Sequence, residues 1–212
     1  IHMVYHFGGY RLPYVRSTNG GRDWQNVRDL ITDTIRFPYP MQGRIFSNRH
    51  RLYIFFIGGN GTGESPIYFL NSDDRGTNWT QPQQITDSSI FVRSIAVLKD
   101  TLVILGNFYL NNPLPRTVYS TDGGLHWSIG TGLLTTDYGD PEIALTNGWL
   151  HVVRHYPLDS GLNILHQRSP DFGNTWSVPD TVSESGGALE AHIATQPNGN
   201  LYVVWRDARP DW

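Results

Sequence analysis

Short apolar runs alternate with polar turns along the whole chain, and no segment shows the 3.6-residue period of an amphipathic helix. In four stretches an apolar run is followed by a tight polar turn and then by a second apolar run. The paired runs are 44–46 with 52–55, 94–97 with 102–105, 142–145 with 150–153, and 192–194 with 201–204. This pattern predicts antiparallel β-hairpins and an all-β fold.

An octapeptide of the form Ser-x-Asp-x-Gly-x-x-Trp follows three of these hairpins, and a variant with Asn19 in the Asp position precedes the first hairpin. The copies recur about every fifty residues, which indicates an internal repeat. An Asp or Asn side chain can accept hydrogen bonds from backbone N–H groups just after it, and glycine adopts the positive φ that a tight turn needs.

The octapeptide residues are therefore predicted to be structural, with the tryptophans of the last three copies buried against their own hairpins. The residues are Ser17, Asn19, Gly21, Trp24, Ser72, Asp74, Gly76, Trp79, Ser120, Asp122, Gly124, Trp127, Ser169, Asp171, Gly173 and Trp176.

Each repeat is predicted to contain four strands, with the octapeptide turn between the third and fourth strands. We expect one domain over residues 1–212, with complete repeats at about 36–82, 90–130 and 139–180 and partial repeats at 1–30 and 186–212. The two ends could complete one repeat, with the strand near Tyr14 pairing with the strand near Val203. Alternatively, the chain could be part of a larger ring.

Composition narrows the function classes. The net charge is −3 and charged residues make up 17%, so the sequence has no basic excess for binding a phosphate backbone and argues against nucleic acid as a partner. Cysteine is absent, which excludes disulfides and a thiol nucleophile. The histidines lack metal-ligand spacing, and no apolar run reaches the roughly 18 residues that span a bilayer.

The octapeptide is similar to the Asp-box, or BNR repeat, of the sialidase superfamily, and its four copies extend the resemblance over nearly the whole chain. The resemblance implies a β-propeller of four-stranded antiparallel blades, either a closed four-bladed ring or part of a six-bladed propeller. It also implies a sialidase-like glycoside hydrolase, or a fragment of one, that acts on terminal sialic acid or a related sugar. The alternative is a non-catalytic propeller that binds a glycan or a protein through its long loops.

Carbohydrate is therefore the expected ligand. No cofactor or metal is expected. Additional subunits or blades could complete the assembly. A secreted or periplasmic location is expected, although the chain opens Ile1-His2-Met3 and shows no signal peptide.

Arginine, carboxylate and tyrosine residues collect where the inner strands begin, on the face opposite the octapeptide turns. Sialidases bind the substrate carboxylate with arginines and use a tyrosine nucleophile paired with a glutamate, beside an aspartate acid. The resemblance thus implies Arg44, Arg93, Arg206 and His192 as substrate-binding residues, and Tyr138, Glu142, Glu190, Asp140 and Asp207 as catalytic residues. Either glutamate could pair with Tyr138, and either aspartate could be the acid. The same charges could instead pair with one another around a wet channel.

The segment Tyr10-Arg11-Leu12-Pro13 resembles the motif that supplies the first arginine of a sialidase. In that family the motif opens an inner strand well before the first Asp-box, whereas here it lies almost directly before Ser17. The position predicts that Arg11 lies on a third strand and has a structural role.

Overall fold

The computed structural model is made of β-strands joined by turns. It describes residues 1–5, 11–32, 37, 39–48, 51–59, 65–87, 89–108, 112–132, 134, 139–158, 161–183, 186–196 and 198–208, and no helix occurs among them. The chain divides into two compact units, Ile1–Ile90 and Phe91–Trp212.

The first unit contains two antiparallel sheets. Strands β1 (His2–Val4), β2 (Pro13–Arg16) and β3 (Arg28–Asp29) form a three-stranded sheet. Strands β4 (Tyr39–Asn48), β5 (Arg51–Gly59), β6 (Ile67–Ser72) and β7 (Gln83–Gln84) form a four-stranded sheet in sequence order.

The second unit repeats the same pattern. Its first sheet contains β8 (Ile90–Leu98), which starts at the unit boundary, β9 (Thr101–Phe108), β10 (Asn112–Ser120) and β11 (Ser128–Ile129). The next contains β12 (Glu142–Thr146), β13 (Trp149–Leu158), β14 (Gly161–Ser169) and β15 (Asp180–Thr181), and β16 (Ala188–Thr195) pairs with β17 (Leu201–Asp207). These sheets confirm the prediction of four-stranded antiparallel repeats.

One predicted strand pairing is wrong. In the register of the first sheet, Tyr14 lies opposite Val4 of β1 and Arg28 of β3. Both edges of β2 are therefore occupied within its own sheet, and no edge is left for the expected pairing with the strand near Val203. The sequence did not reveal this because β1 is only three residues long.

The hydrophobic core clusters join residues of neighbouring sheets, and the second strands contribute to each of them. In the second unit, Val103 and Leu105 of β9 pack in one cluster with Leu150 and Val152 of β13. On the opposite face of β13, Val153 belongs to a second cluster, against which Ile193 and Val203 pack. Successive side chains of β13 thus pack against two different neighbouring sheets, one on each face. Residues 150–154 in the middle of the strand are therefore all buried.

Each octapeptide turn is closed by a hydroxyl that both donates and accepts. The Ser72 hydroxyl donates to Asp74 Oδ1 at 2.8 Å and accepts from the Gly76 N–H at 2.8 Å. The other three copies repeat the second bond at 2.7–2.9 Å. In all four copies the glycine at this position has φ between 82° and 98°, a conformation that residues with a Cβ rarely adopt.

The acidic residue of the octapeptide accepts hydrogen bonds from the turn that follows it. Asp74 accepts from the backbone N–H groups of Asn78 at 2.8 Å and Thr77 at 3.0 Å. The bond from the Asn78 N–H is the main cause that lowers the pKa of Asp74 to about 2. Asn19 accepts the equivalent bond from the Asp23 N–H at 3.0 Å, so a neutral amide oxygen serves the same purpose.

The expectation of buried octapeptide tryptophans is wrong in degree. Trp79, Trp127 and Trp176 are only half-buried, and Trp24 is exposed. Trp79 packs at the margin of a core cluster and contacts the Tyr14 ring of the neighbouring sheet edge-on, with ring centroids 5.2 Å apart. Trp176 likewise packs at the margin of a cluster, so neither indole is fully enclosed.

Candidate functional site

Strands β4 and β16 each contain a β-bulge at the same place in the repeat. The register shifts between Met41 and Arg44 in β4, and between Leu189 and His192 in β16. Inside these bulges Gln42 and Glu190 have φ of 54° and 51°. Such left-handed conformations are uncommon away from glycine and cluster at functional sites. Sequence reasoning missed both bulges, although Gly43 inside the bulge of β4 is a signal for one; no Gly, Asn or Asp marks the bulge at Glu190.

The bulge in β16 places Glu190 beside an arginine of the neighbouring strand. Arg206 lies opposite Leu189 in the β16–β17 register, and its Nη1 lies 3.3 Å from Glu190 Oε1. The Arg206 and Glu190 side chains are 62% and 64% exposed. The two charges are therefore held together while both remain open to solvent.

Glu142 links two sheets of the second unit. Its Oε1 lies 2.9 Å from His192 Nδ1, and its Oε2 accepts from the Ile193 N–H at 3.2 Å. One sheet earlier, the hydroxyl of Ser94 accepts from the Ile143 N–H in the same way, also at 3.2 Å. The aligned positions of β8 and β12 thus bind the next inner strand, and both carboxylate oxygens of Glu142 are engaged.

Arg93 is held in one orientation by three neighbours. Its Nε donates to Asn107 Oδ1 at 2.8 Å, and its Nη1 lies 3.1 Å from Asp140 Oδ1. Its guanidinium carbon lies 4.7 Å from the centre of the Phe91 ring, which is the geometry of a cation–π contact. Asp140 is exposed, so this ion pair also faces solvent.

Two further predicted residues are exposed on strands. Arg44 is exposed on β4 in the first unit, and Asp207 is exposed at the end of β17. Tyr138 lies outside the described residues. The second unit therefore brings the predicted residues together as three local pairs, Arg93 with Asp140, Glu142 with His192, and Glu190 with Arg206.

Arg11 lies two residues before β2, the middle strand of its sheet. Its Nε lies 3.7 Å from Asp29 Oδ2 on β3, and the side chain is exposed. Asp29 also accepts from the Leu12 N–H at 3.0 Å, so Asp29 ties this segment to β3.

In the part of the chain that the structure describes, no three His, Cys, Asp or Glu residues are placed to hold a metal ion. The described residues likewise contain no helix long and apolar enough to cross a membrane.

Sequence comparison finds one family. The model of the BNR repeat-like domain matches residues 11–211. No curated protein matches the chain in sequence.

Solved structures with a similar fold include two sialidases. Trypanosoma rangeli sialidase in complex with sialic acid has a TM-score of 0.63 at 15% identity, covering 94% of this chain and 39% of that protein. A Hadza microbial sialidase has a TM-score of 0.60 at 19% identity, covering 79% of this chain and 39% of that protein. This chain thus spans about two fifths of the length of either sialidase.

A third similar structure is an endo-arabinanase of family GH43 from Bacillus licheniformis. Its TM-score is 0.51 at 14% identity, and the match covers 97% of this chain and 87% of that protein. At these identities the similarity of the three structures concerns the fold alone. The sialidase structures together with the family match show that the fold is a β-propeller with Asp-box repeats.

Proposed function

We propose that this chain, which belongs to the BNR repeat-like domain family, forms a sugar-binding face of a sialidase-like glycoside hydrolase. One observation carries the proposal, namely the exposed Glu190–Arg206 pair that the bulge in β16 presents to solvent. A bulge that re-aims one side chain is a common feature beside active sites. The similar structures support a glycoside hydrolase fold.

The chemistry of the pair fits an acidic sugar. The planar guanidinium of Arg206 can bind a sugar carboxylate through two parallel hydrogen bonds. When the sugar binds, the Arg206 guanidinium would exchange its ion pair with Glu190 for one with the sugar carboxylate. The Glu190 carboxylate would then be free to accept a proton. Arg93, fixed by Asn107 and Asp140, is a second candidate for the same anion, with His192 as a further substrate contact.

The catalytic step assigned to this face follows the tyrosine route of sialidases. The Tyr138 oxygen attacks the anomeric carbon as Glu190 takes the phenolic proton, the glycosidic bond breaks, and Asp140 or Asp207 protonates the departing oxygen. Glu190 suits the role of base better than Glu142, because both oxygens of Glu142 already bind strand β16.

The proposal is tested by measuring hydrolysis of a fluorogenic sialoside and binding of free sialic acid by titration calorimetry. We expect Arg206→Gln to weaken sugar binding about ten- to a hundredfold, the value of a hydrogen bond to a charged group. Glu190→Gln is expected to lower kcat with little change in sugar affinity. Arg168→Gln is the matched control, because Arg168 is an exposed arginine stacked on Trp149.

The outcomes separate the two functions. Hydrolysis that depends on Glu190 supports the enzyme. Sialic acid binding that depends on Arg206, without hydrolysis, supports the alternative of a non-catalytic glycan-binding propeller. Equal binding by Arg206→Gln and Arg168→Gln, or no binding by the unmodified chain, overturns the proposal.

A further inference from the structure

Arg154 is a charged residue inside the second unit. It lies on β13 and is only 3% exposed. Alternation along the strand places it on the same face as Leu150 and Val152, which pack against Val103 and Leu105 of the neighbouring sheet. The Arg154 side chain therefore lies beside the apolar contacts between the β8–β11 sheet and the β12–β15 sheet.

The guanidinium has few partners in this interior. Nη2 donates to Gln167 Oε1 at 2.8 Å, whereas Nε and Nη1 are buried without a hydrogen-bond partner. No ion pair joins Arg154 to a carboxylate of the described residues. Burial also lowers the pKa of Arg154. A buried cation without a counter-charge is strongly unfavourable, so an acceptor beyond the described residues is expected here.

The repeats show that the fold does not need a charge at this position. Arg154 is the fourth residue after the leucine near the start of its strand, and the same position holds Phe56 in β5, Gly106 in β9 and Trp205 in β17. These residues are apolar or lack a side chain. The arginine is therefore a feature of this one blade, added to a scaffold that accepts an apolar residue there.

We propose that Arg154 anchors a buried anion site at the interface between these two sheets, and that the site takes a small monovalent anion, either a halide or a short carboxylate. One negative charge balances the single guanidinium. The unpartnered Nε and Nη1 groups supply the hydrogen bonds, which are stronger for being charge-assisted. The site is distinct from the exposed Glu190–Arg206 pair, so the inference does not depend on the proposed sugar-binding function.

The test is urea unfolding of the full chain at constant ionic strength, with chloride or formate replacing the bulky anion gluconate. We expect chloride or formate to stabilise the unmodified chain, lowering the unfolding equilibrium constant about a hundredfold at an anion concentration one hundred times Kd. Comparison of the two titrations identifies the preferred anion. Arg154→Met is expected to lose the response and, in gluconate, to be at least as stable as the unmodified chain.

Two controls keep the test decisive. Arg168→Gln removes an exposed arginine outside the proposed sugar-binding face and is expected to keep the full anion response. If Arg154→Met does not fold, ³⁵Cl NMR of the unmodified chain replaces it, with chloride line broadening expected and with competition by formate. Equal responses of Arg154→Met and Arg168→Gln would overturn the site, as would the absence of a response to either anion in the unmodified chain.

Discussion

The buried His151 and the half-buried His166 form an imidazole pair on the adjacent strands β13 and β14. Their rings stack with centroids 5.3 Å apart, and His151 Nδ1 lies 3.0 Å from His166 Nε2. The other nitrogen of His151 lies 3.0 Å from the Thr146 hydroxyl. Burial lowers the pKa of His151 to about 4 and also lowers the pKa of His166, with Arg168 acting in the same direction and Asp180 opposing it at His166.

This pair predicts destabilisation in acid. Because unfolded histidine titrates near 6.5, the unfolded chain binds more protons between about pH 6.5 and 4, and stability is lost progressively as the pH falls through that window. The loss of unfolding free energy that protonation of His151 causes across this window is on the order of 2 kcal/mol. Urea midpoints at neutral and acid pH measure it. His151→Val, which introduces the residue that Val103 supplies at the same repeat position, should flatten the profile. An unchanged profile would contradict the role of this pair in acid destabilisation.

The octapeptide residues could be predicted from sequence, whereas the pairs that define the candidate site could not. The octapeptide bonds join residues at most four positions apart, so the local pattern carries their chemistry. The contact of Glu142 with His192 and the bulge at Glu190 depend on strand register over long separations. The anion site at Arg154 depends on the packing of two sheets.

At the scale of the hairpin, the buried serine is predicted to be the most sensitive octapeptide residue. Ser72→Ala removes the acceptor of the buried Gly76 N–H and should cost about 1–3 kcal/mol, the penalty for an unsatisfied buried donor. Ser128, exposed on β11, gives the matched Ser→Ala control and should change little. Chemical denaturation measures both. Equal effects of the two substitutions would contradict a role for the hydroxyl in closing the turn.

The second strand of each complete repeat was predictable because it is buried on both faces. Strand β5 is almost wholly buried, and its run of apolar residues marks it plainly. The fourth strands β7, β11 and β15 contain only two residues each and carry no pattern. The strand pairing at the chain ends failed for the same reason, since β1 is too short to be recognised as the neighbour of β2.

Across the whole molecule, β17 stands apart from the strands at its place in the repeat. Strands β5, β9 and β13 each lie between two neighbours, whereas among the described residues β17 is hydrogen-bonded to β16 alone. Tyr202, Val204 and Trp205 are exposed on this strand. A free edge that carries exposed apolar side chains is a template for pairing with another chain, and β17 has no proline or lysine to prevent it.

We therefore predict that this chain self-associates with rising concentration and that Val204→Lys suppresses the association. Val204 is 63% exposed, so lysine fits there without burying its charge, and one such charge on an edge strand opposes pairing with a second edge. Val178→Lys is the matched control, because Val178 is 80% exposed but lies outside the strands. Sedimentation velocity over a concentration series measures the effect. Equal suppression by the two lysines would point to net charge as the cause, and unchanged association of Val204→Lys would place the contact elsewhere.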